Sequence, residues 1–334
     1  MLSKPLGRIV AGLVVVVIVM VAWFALQVDP IFHGKGKNVI VTVHPGDSIS
    51  TIANEMHAKG VIASALAFQI DTTIFGSFSI AAGSYEIAQG SSFSHVRSVF
   101  GAAPNVFPVE VTAGLTLHEV AVDVENAKGN SFADQFVHDV SLAKTPSPFR
   151  ASGTLEGLIG TGQYVIAPGE SPARLATRME RRFVKQAASV GLTPTTNLYG
   201  LNAYQLVIAA SIVEKEGYYP VNMPKVARVI YNRLARGGPL QMDATVLYYL
   251  GKDGGTVTPA MLQTQEPYNT YLNTGLTPTP ICTVSTIALR ATLHPPTGTW
   301  LYFTLVNEDG TMAFSTTFAQ QLKEEKLAQS RGIG

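Results

Sequence analysis

Sulfur chemistry is nearly absent from this chain. Its 334 residues include one cysteine, Cys282, so no internal disulfide framework can form and the fold must rest on its core. No histidine stands near Cys282 at a spacing that would activate the thiol as a nucleophile. His95, His118 and His138 are scattered without metal-ligand spacing, which suits surface or capping roles. No metal and no other cofactor is expected. Charge is also scarce: 24 Lys and Arg stand against 23 Asp and Glu, a formal net charge of +1, and 14% of residues are charged. Nucleic-acid binders declare a basic face, so no nucleic-acid partner is implied.

What is present is apolar: 46% of residues are hydrophobic and the mean hydropathy is +0.21. The length allows two or three domains with a sizeable core. Ile9–Leu26 is an uncharged apolar run that, at about 1.5 Å per residue, just spans a hydrocarbon core of roughly 30 Å. Trp23 and Phe24 would sit at the far interface, and Lys4 and Arg8 precede the run. The positive-inside rule then leaves residues 1–8 in the cytoplasm, 9–28 across the cell membrane and everything after them outside. A cleaved signal peptide is the alternative. The run is longer than a usual h-region and no clear A-x-A site follows, which favours a retained single-pass anchor.

Residues 29–38 read as a linker ending in Gly34-Lys-Gly-Lys-Asn38, and 39–150 as a membrane-proximal region. Val39–Val43 is a strand, His44–Ser48 carries a Pro-Gly turn, and Ile49–Lys59 is a helix capped at Asp47 or Ser48. Val61–Ile70 reads as a second helix and Ala82–Ile87 as a second strand. Ser92–Gly101 and Phe107–Glu125 repeat the theme weakly, with a strand at 109–116 leading into a helix. Pro146–Ser152 breaks the pattern, so 151–334 is expected to be the membrane-distal domain. Within it Pro172–Gly191 is a basic amphipathic helix whose arginines read as a solvated face. Trp300–Val306 and Thr311–Ser315 form a hairpin, and Phe318–Gln329 a closing helix.

The stretch that organises this domain is Leu206–Gly217. Asn202 and Gln205 read as an N-cap with its capping-box partner, a nearly unbroken apolar run follows, and Gly217 supplies the stop. A helix apolar on almost every face belongs inside a domain. It ends in Glu214, Lys215 and Glu216. At about 100° per residue the two glutamates point to roughly opposite sides. One can face solvent or pair with a neighbouring cation, and Arg233 is the candidate partner for Glu214, which would leave Glu216 as the free acid; the other meets apolar surface, where its pKa would rise until it can donate a proton near neutral pH. The plainer reading is that both merely mark the solvated end of a core helix.

Six ordered pieces favour the chemical reading: Ala210-Ser-Ile-Val-Glu-Lys-Glu216, Tyr231-Asn-Arg-Leu234, Leu240-Gln-Met-Asp-Ala-Thr-Val246, Tyr268-Asn-Thr-Tyr271, Gly275-Leu-Thr-Pro-Thr-Pro-Ile281 and Leu301-Tyr-Phe-Thr-Leu-Val306. Together they resemble the YceG-like family of endolytic murein transglycosylases. Leu155, Glu156, Gly157, Tyr164 and Ile166 also match that family's pattern, but Gly160-Thr-Gly162 replaces its F-P-D core, Ala244 its proline and Thr283-Val-Ser285 its N-P-G.

The resemblance implies an α+β fold: one transmembrane helix, small LysM-like modules, then a catalytic domain with a buried central helix. It implies a lytic transglycosylase, a lyase that cleaves between N-acetylmuramic acid and N-acetylglucosamine in nascent peptidoglycan strands, leaves 1,6-anhydro ends and so terminates elongation. Glu216 takes the catalytic role. Glu156, Asn232, Gln241, Asp243, Tyr268 and Asn269 are the candidate substrate-binding residues. Glycan strands and the membrane are the expected partners, with peptidoglycan synthases as further candidates. Two other classes stay open: a hydrolase, which needs a second carboxylate drawn from Asp243 or Glu156, and an inactive wall-binding protein.

Overall fold

The computed structural model of the chain describes residues 4–28, 36–76, 78–141, 144–149, 153–167, 169–217 and 219–333. The expected linker at 29–38 and the break at 146–152 lie partly outside the described residues. The chain is mixed α+β. It divides into two compact units, residues 1–108 with 165–169 and residues 109–164 with 170–334, so the expected boundary at 150/151 falls inside the second unit.

The first unit opens with helix α1 (Lys4–Val28). Its segment Ala11–Val28 is the only one among the described residues long and apolar enough to cross a membrane. Strands β1 (Asn38–Val43) and β2 (Gly83–Ala88) pair antiparallel, with Val41 opposite Tyr85. Helices α2 (Ile49–Ala58), α3 (Ala65–Ile74) and α4 (Phe93–Gly101) share one core with them. Each starts at a serine, Ser48, Ser64 or Ser92, whose hydroxyl accepts a backbone N–H three residues on. Ser64 explains why α3 begins later than the apolar run from Val61 suggests: Val61 and Ile62 are core residues of the preceding turn. The core is aromatic, with Phe68 edge-on to Phe93 at 5.1 Å and Tyr85 to Phe100 at 4.8 Å. β3 (Phe107–Val111) lies where the chain passes to the second unit.

The second unit continues with α5 (Leu117–Lys128) and α6 (Asn130–Ser141). Next come β4 (Gly162–Ile166), at the return crossing, and α7 (Pro172–Ser189). A minimal hairpin, β5 (Asn197–Leu198) with β6 (Leu201–Asn202), leads into α8 (Ala203–Glu216). Then follow α9 (Met223–Ala235), α10 (Asp243–Tyr249), α11 (Pro259–Leu262) and α12 (Thr286–Leu293). The hairpin β7 (Tyr302–Leu305) and β8 (Met312–Ser315) and the helix α13 (Phe318–Ser330) close the chain.

Helix α8 packs against α9, α10 and α12. Asn202 and Gln205 exchange hydrogen bonds as a capping box, and Ala203 to Val213, apart from Gln205, are buried. Each Leu, Ile or Val hidden there contributes about 1.5–3 kcal/mol. Gly217 ends the helix for a reason of space. Its backbone stays right-handed (φ −70°), and a Cβ would lie 2.5 Å from Met223 Cγ and 2.7 Å from the Val213 carbonyl oxygen.

The Gly160-Thr-Gly162 segment has a similar explanation. A Cβ on Gly160 would meet the Phe183 backbone nitrogen at 2.5 Å, so α7 lies directly on it. Gln186 of α7 bonds both the amide and the carbonyl of Thr161. The basic face of α7 is correspondingly more than solvated: Arg178 bonds Glu170, and Arg182 lies 4.5 Å over the Tyr164 ring.

Candidate active site

The end of α8 opens into a cavity of about 860 Å³ in the second unit, a size that suits a small-molecule or oligosaccharide segment. Glu216, Lys215, Asp243, Glu156 and Tyr248 are among its walls. α8 brings Glu216, the first turn of α10 brings Asp243 and Ala244, and the loop at 251–255 closes one side.

The two glutamates of α8 do point apart. Glu214 Oε2 accepts the Ser285 N–H at 2.8 Å, at the start of α12. Glu216 Oε1 accepts the Ala244 N–H at 3.0 Å, in the first turn of α10. The expected pairing of Glu214 with Arg233 is corrected: Arg233 donates Nε to the Leu301 carbonyl at 2.6 Å and Nη1 to the Leu240 carbonyl. Its charge acts instead on Glu216. Lys215, between them, bonds Asp253 at 2.5 Å and the Gly114 carbonyl at 3.1 Å, tying the 251–255 loop to the segment before α5.

Burial raises the Glu216 pKa to about 7; the Ala244 N–H opposes that, the Asp243 charge reinforces it and Arg233 opposes it. A carboxyl poised there is part protonated near neutral pH, so it can donate a proton and take one back. Asp243 is occupied on one side, its Oδ1 accepting the Tyr271 hydroxyl at 2.5 Å. The Glu216 and Asp243 charges also push the Tyr271 hydroxyl up, after burial and its bond to Asp243, so Tyr271 is a proton donor locked in its neutral form.

Glu156 is a further carboxyl on the wall, only 4% exposed. It accepts the Leu117 N–H at 3.0 and 3.1 Å and the Tyr248 hydroxyl at 3.0 Å. Burial pushes it up to about 7; the bonds from Leu117, Tyr248 and the Gly157 amide pull the other way, and the Glu119 charge raises it slightly. It braces α5 against α10.

The other expected binding residues divide. Asn232 does not line the cavity: its amide donates to the Gly298 and Trp300 carbonyls at 3.0 and 2.8 Å and so holds the strand leading to β7. Asn269 is fully buried; it donates to the Leu262 and Thr264 carbonyls and accepts the Tyr271 N–H, which pins its own loop and leaves no amide for a sugar. Tyr268 stands behind the wall, its ring 4.9 Å from that of Tyr248 and its hydroxyl 2.9 Å from Thr279 Oγ1. Gln241 has φ +50°, a left-handed backbone held by its N–H bond to the Thr270 carbonyl, and its side chain is exposed outside the cavity lining. His118, expected at the surface or in a cap, is exposed and also lines the cavity.

Sequence reasoning missed Tyr248, Lys215 and the glycine-rich loop at 251–255. The signal was the run Tyr248-Tyr-Leu-Gly-Lys-Asp-Gly-Gly255, an aromatic pair followed by a loop with glycines at positive φ. Cys282 is buried, its thiol pushed well up by burial first and by the Glu214 charge next, and its sulfur faces the Ser211 carbonyl at 3.4 Å. It is an inert packing group.

Comparison with known proteins gives a consistent picture. The YceG-like family matches residues 41–326. A protein of Bacillus subtilis (strain 168) named endolytic murein transglycosylase is 29% identical over 329 residues, covering 91% of this chain and 88% of its own length. A protein of the same name from Streptococcus pneumoniae serotype 2 (strain D39) is 26% identical over 309 residues; the match takes in 82% of this chain and 55% of that longer protein. A yceG-like protein of Listeria monocytogenes, known from a crystal structure, shares the fold with a TM-score of 0.59 at 23% identity, over 86% of this chain and 98% of its own.

Proposed function

The chain belongs to the YceG-like family, and on that premise we propose that it is a peptidoglycan lytic transglycosylase with Glu216 as its single acid and base. The observation that carries the reading is the state of the cavity carboxyls. Glu216 is held near pKa 7 by burial and accepts a single backbone N–H, that of Ala244, whereas Glu156 is engaged by Leu117 and Tyr248, Asp243 by Tyr271, Glu119 by the Thr116 amide and hydroxyl, and Asp253 by Lys215.

One available acid suits an intramolecular reaction better than hydrolysis, which usually needs two carboxylates. Protonated Glu216 gives its proton to the glycosidic oxygen as the bond from C1 of N-acetylmuramic acid to that oxygen breaks. The N-acetylglucosamine hydroxyl leaves. The carboxylate then takes the proton of the muramic 6-hydroxyl as that oxygen bonds to C1. A 1,6-anhydro end forms, no water is consumed and Glu216 regains its proton. The neighbouring Asp243 charge favours the protonated acid at the start and the cation that develops at C1.

The same reading makes α8 the central helix of the catalytic part, which takes in the second unit with its cavity-lining residues from Thr116 onward, and makes the first unit after residue 39 a LysM-like spacer or glycan-contacting module. It makes α1 a retained single-pass anchor with the N-terminus inside and the cavity outside the cytoplasm. Cleaving strands there would end their elongation beside the peptidoglycan synthases, which are candidate partners. Digesting purified glycan strands with the detergent-solubilised chain and weighing the products tests the assignment. Anhydro ends support it; reducing ends make the protein a hydrolase, and unchanged strands make it a binder.

A further inference from the structure

Helix α3 carries an apolar stripe on the flank of its buried face. Its inner face, Ala67, Phe68, Asp71 and Thr72, is buried. At about 100° per residue Leu66, Ile70 and Ile74 fall in a band roughly 80° wide that flanks this buried face, and Phe75 follows at the C-cap. Leu66 is 61% exposed, Ile74 64% and Phe75 68%. Ile70 is half-buried. The charge nearest to the stripe is neutralised: Asp71 is buried and bonded by Arg97, Nε at 3.0 Å and Nη2 at 2.6 Å. Between Ala63 and Gly76 no other residue is charged. An uncharged apolar band of this kind marks an interaction surface.

What covers it is indicated by the neighbouring helix. α1 packs against α3, and Phe24 and Val28, one turn apart at the C-terminal end of α1, pack against the core of the same unit. Those two residues belong to the apolar segment Ala11–Val28. The unit therefore seats directly on the end of that segment, which places α3 at the level where the hydrocarbon gives way to headgroups. We propose that the Leu66–Ile70–Ile74–Phe75 stripe lies in the bilayer interface, so that the first unit is a membrane-resting module with two contacts, α1 and the flank of α3. The occupant is lipid. Interfacial helices carry Leu and Phe on the face they bury about 5–10 Å into the headgroup boundary. Such seating would fix the orientation of the module about α1, which a single helix leaves free to rotate. This rests on reading α1 as an anchor.

Spin labelling of the full chain in phospholipid vesicles tests both parts separately. Nitroxides are attached to Ile74→Cys and Phe75→Cys, with Val16→Cys in the middle of α1 and Glu308→Cys in the β7–β8 turn as references. Cys282 is buried, so the unmutated chain serves as the blank. Collision with oxygen, which concentrates in lipid, is compared with collision with a water-soluble nickel chelate. The stripe labels should favour oxygen several-fold over the chelate, as the label at 16 does, with the label at 308 reversed. Labels at 74 and 75 that behave like 308 while 16 stays in lipid overturn the stripe and leave the anchor. Labels at 74 and 75 shielded from both reagents, with dipolar broadening between chains, overturn it in favour of a second copy. A label at 16 in water overturns the anchor, and the stripe with it.

Discussion

Glu156 offers a test of the physical account that does not depend on substrate. Its carboxyl is buried and held at about 7, against an ordinary value of 4.5. Below about pH 4.5 both folded and unfolded chains keep the proton and the group is neutral to stability. Between 4.5 and 7 the folded chain retains a proton that the unfolded chain releases, so stability falls as pH rises; above 7 the folded chain carries the full penalty. That penalty is about 3 kcal/mol for a difference of this size. Glu156→Gln removes the titration but keeps an oxygen for the Leu117 N–H and an amide that can donate to Tyr248 Oη in place of accepting from it. Urea unfolding followed by Trp300, which sits in the second unit beside Phe314 at 5.9 Å, reports the right part of the chain. Between about pH 5 and pH 8 the unmodified protein should lose about 2–3 kcal/mol more than the variant. Curves that fall in parallel would show that burial of Glu156 does not shift its ionisation, and the argument for Glu216 would weaken with it.

Other consequences concern the supports of the site. Ser211 is fully buried in α8; its hydroxyl accepts the Ile281 N–H at 3.0 Å and donates to the Ile208 carbonyl at 2.8 Å. Ser211→Ala should strand that amide and lower stability by about 1–3 kcal/mol in chemical denaturation; an unchanged midpoint would mean the Gly275–Ile281 segment is not pinned there. Asp243→Asn removes a negative charge that raises the Glu216 pKa, so the alkaline limb of the pH–rate profile should move to lower pH. A limb that stays in place or moves up would detach Asp243 from the ionisation of Glu216.

Local signals in the sequence located the main helix well. The capping pair Asn202 and Gln205 set its start and the apolar run its burial, because both depend on residues within one or two turns. The divergence of Glu214 and Glu216 follows from helical geometry alone. Their partners were not legible, since Ser285 and Ala244 reach them from segments that only the fold brings close. Arg233 sits in a suggestive motif but is drawn to the Leu301 and Leu240 carbonyls by the packing of α9 against β7. Asn269 shows the same limit in reverse: an amide beside two tyrosines suggests sugar binding, and the loop consumes both of its N–H donors and bonds its oxygen. Gly217 reads as a helix stop and Gly160 as part of a departure from the family's F-P-D, whereas close approach of Met223 and of α7 is what excludes a side chain at each.

The central claim is that Glu216, and not Glu214, moves the proton. Glycan strands digested by the unmodified chain, Glu216→Gln and Glu214→Gln, with anhydro ends counted by mass spectrometry, address it directly. Glu216→Gln preserves shape but cannot exchange the proton, so cleavage should fall by roughly 10²–10⁴-fold with folding barely affected. Glu214→Gln keeps an oxygen for the Ser285 N–H, so it should cost a little stability and leave substantial activity. Full activity in Glu216→Gln, or equal loss in both variants at equal stability, would contradict the account.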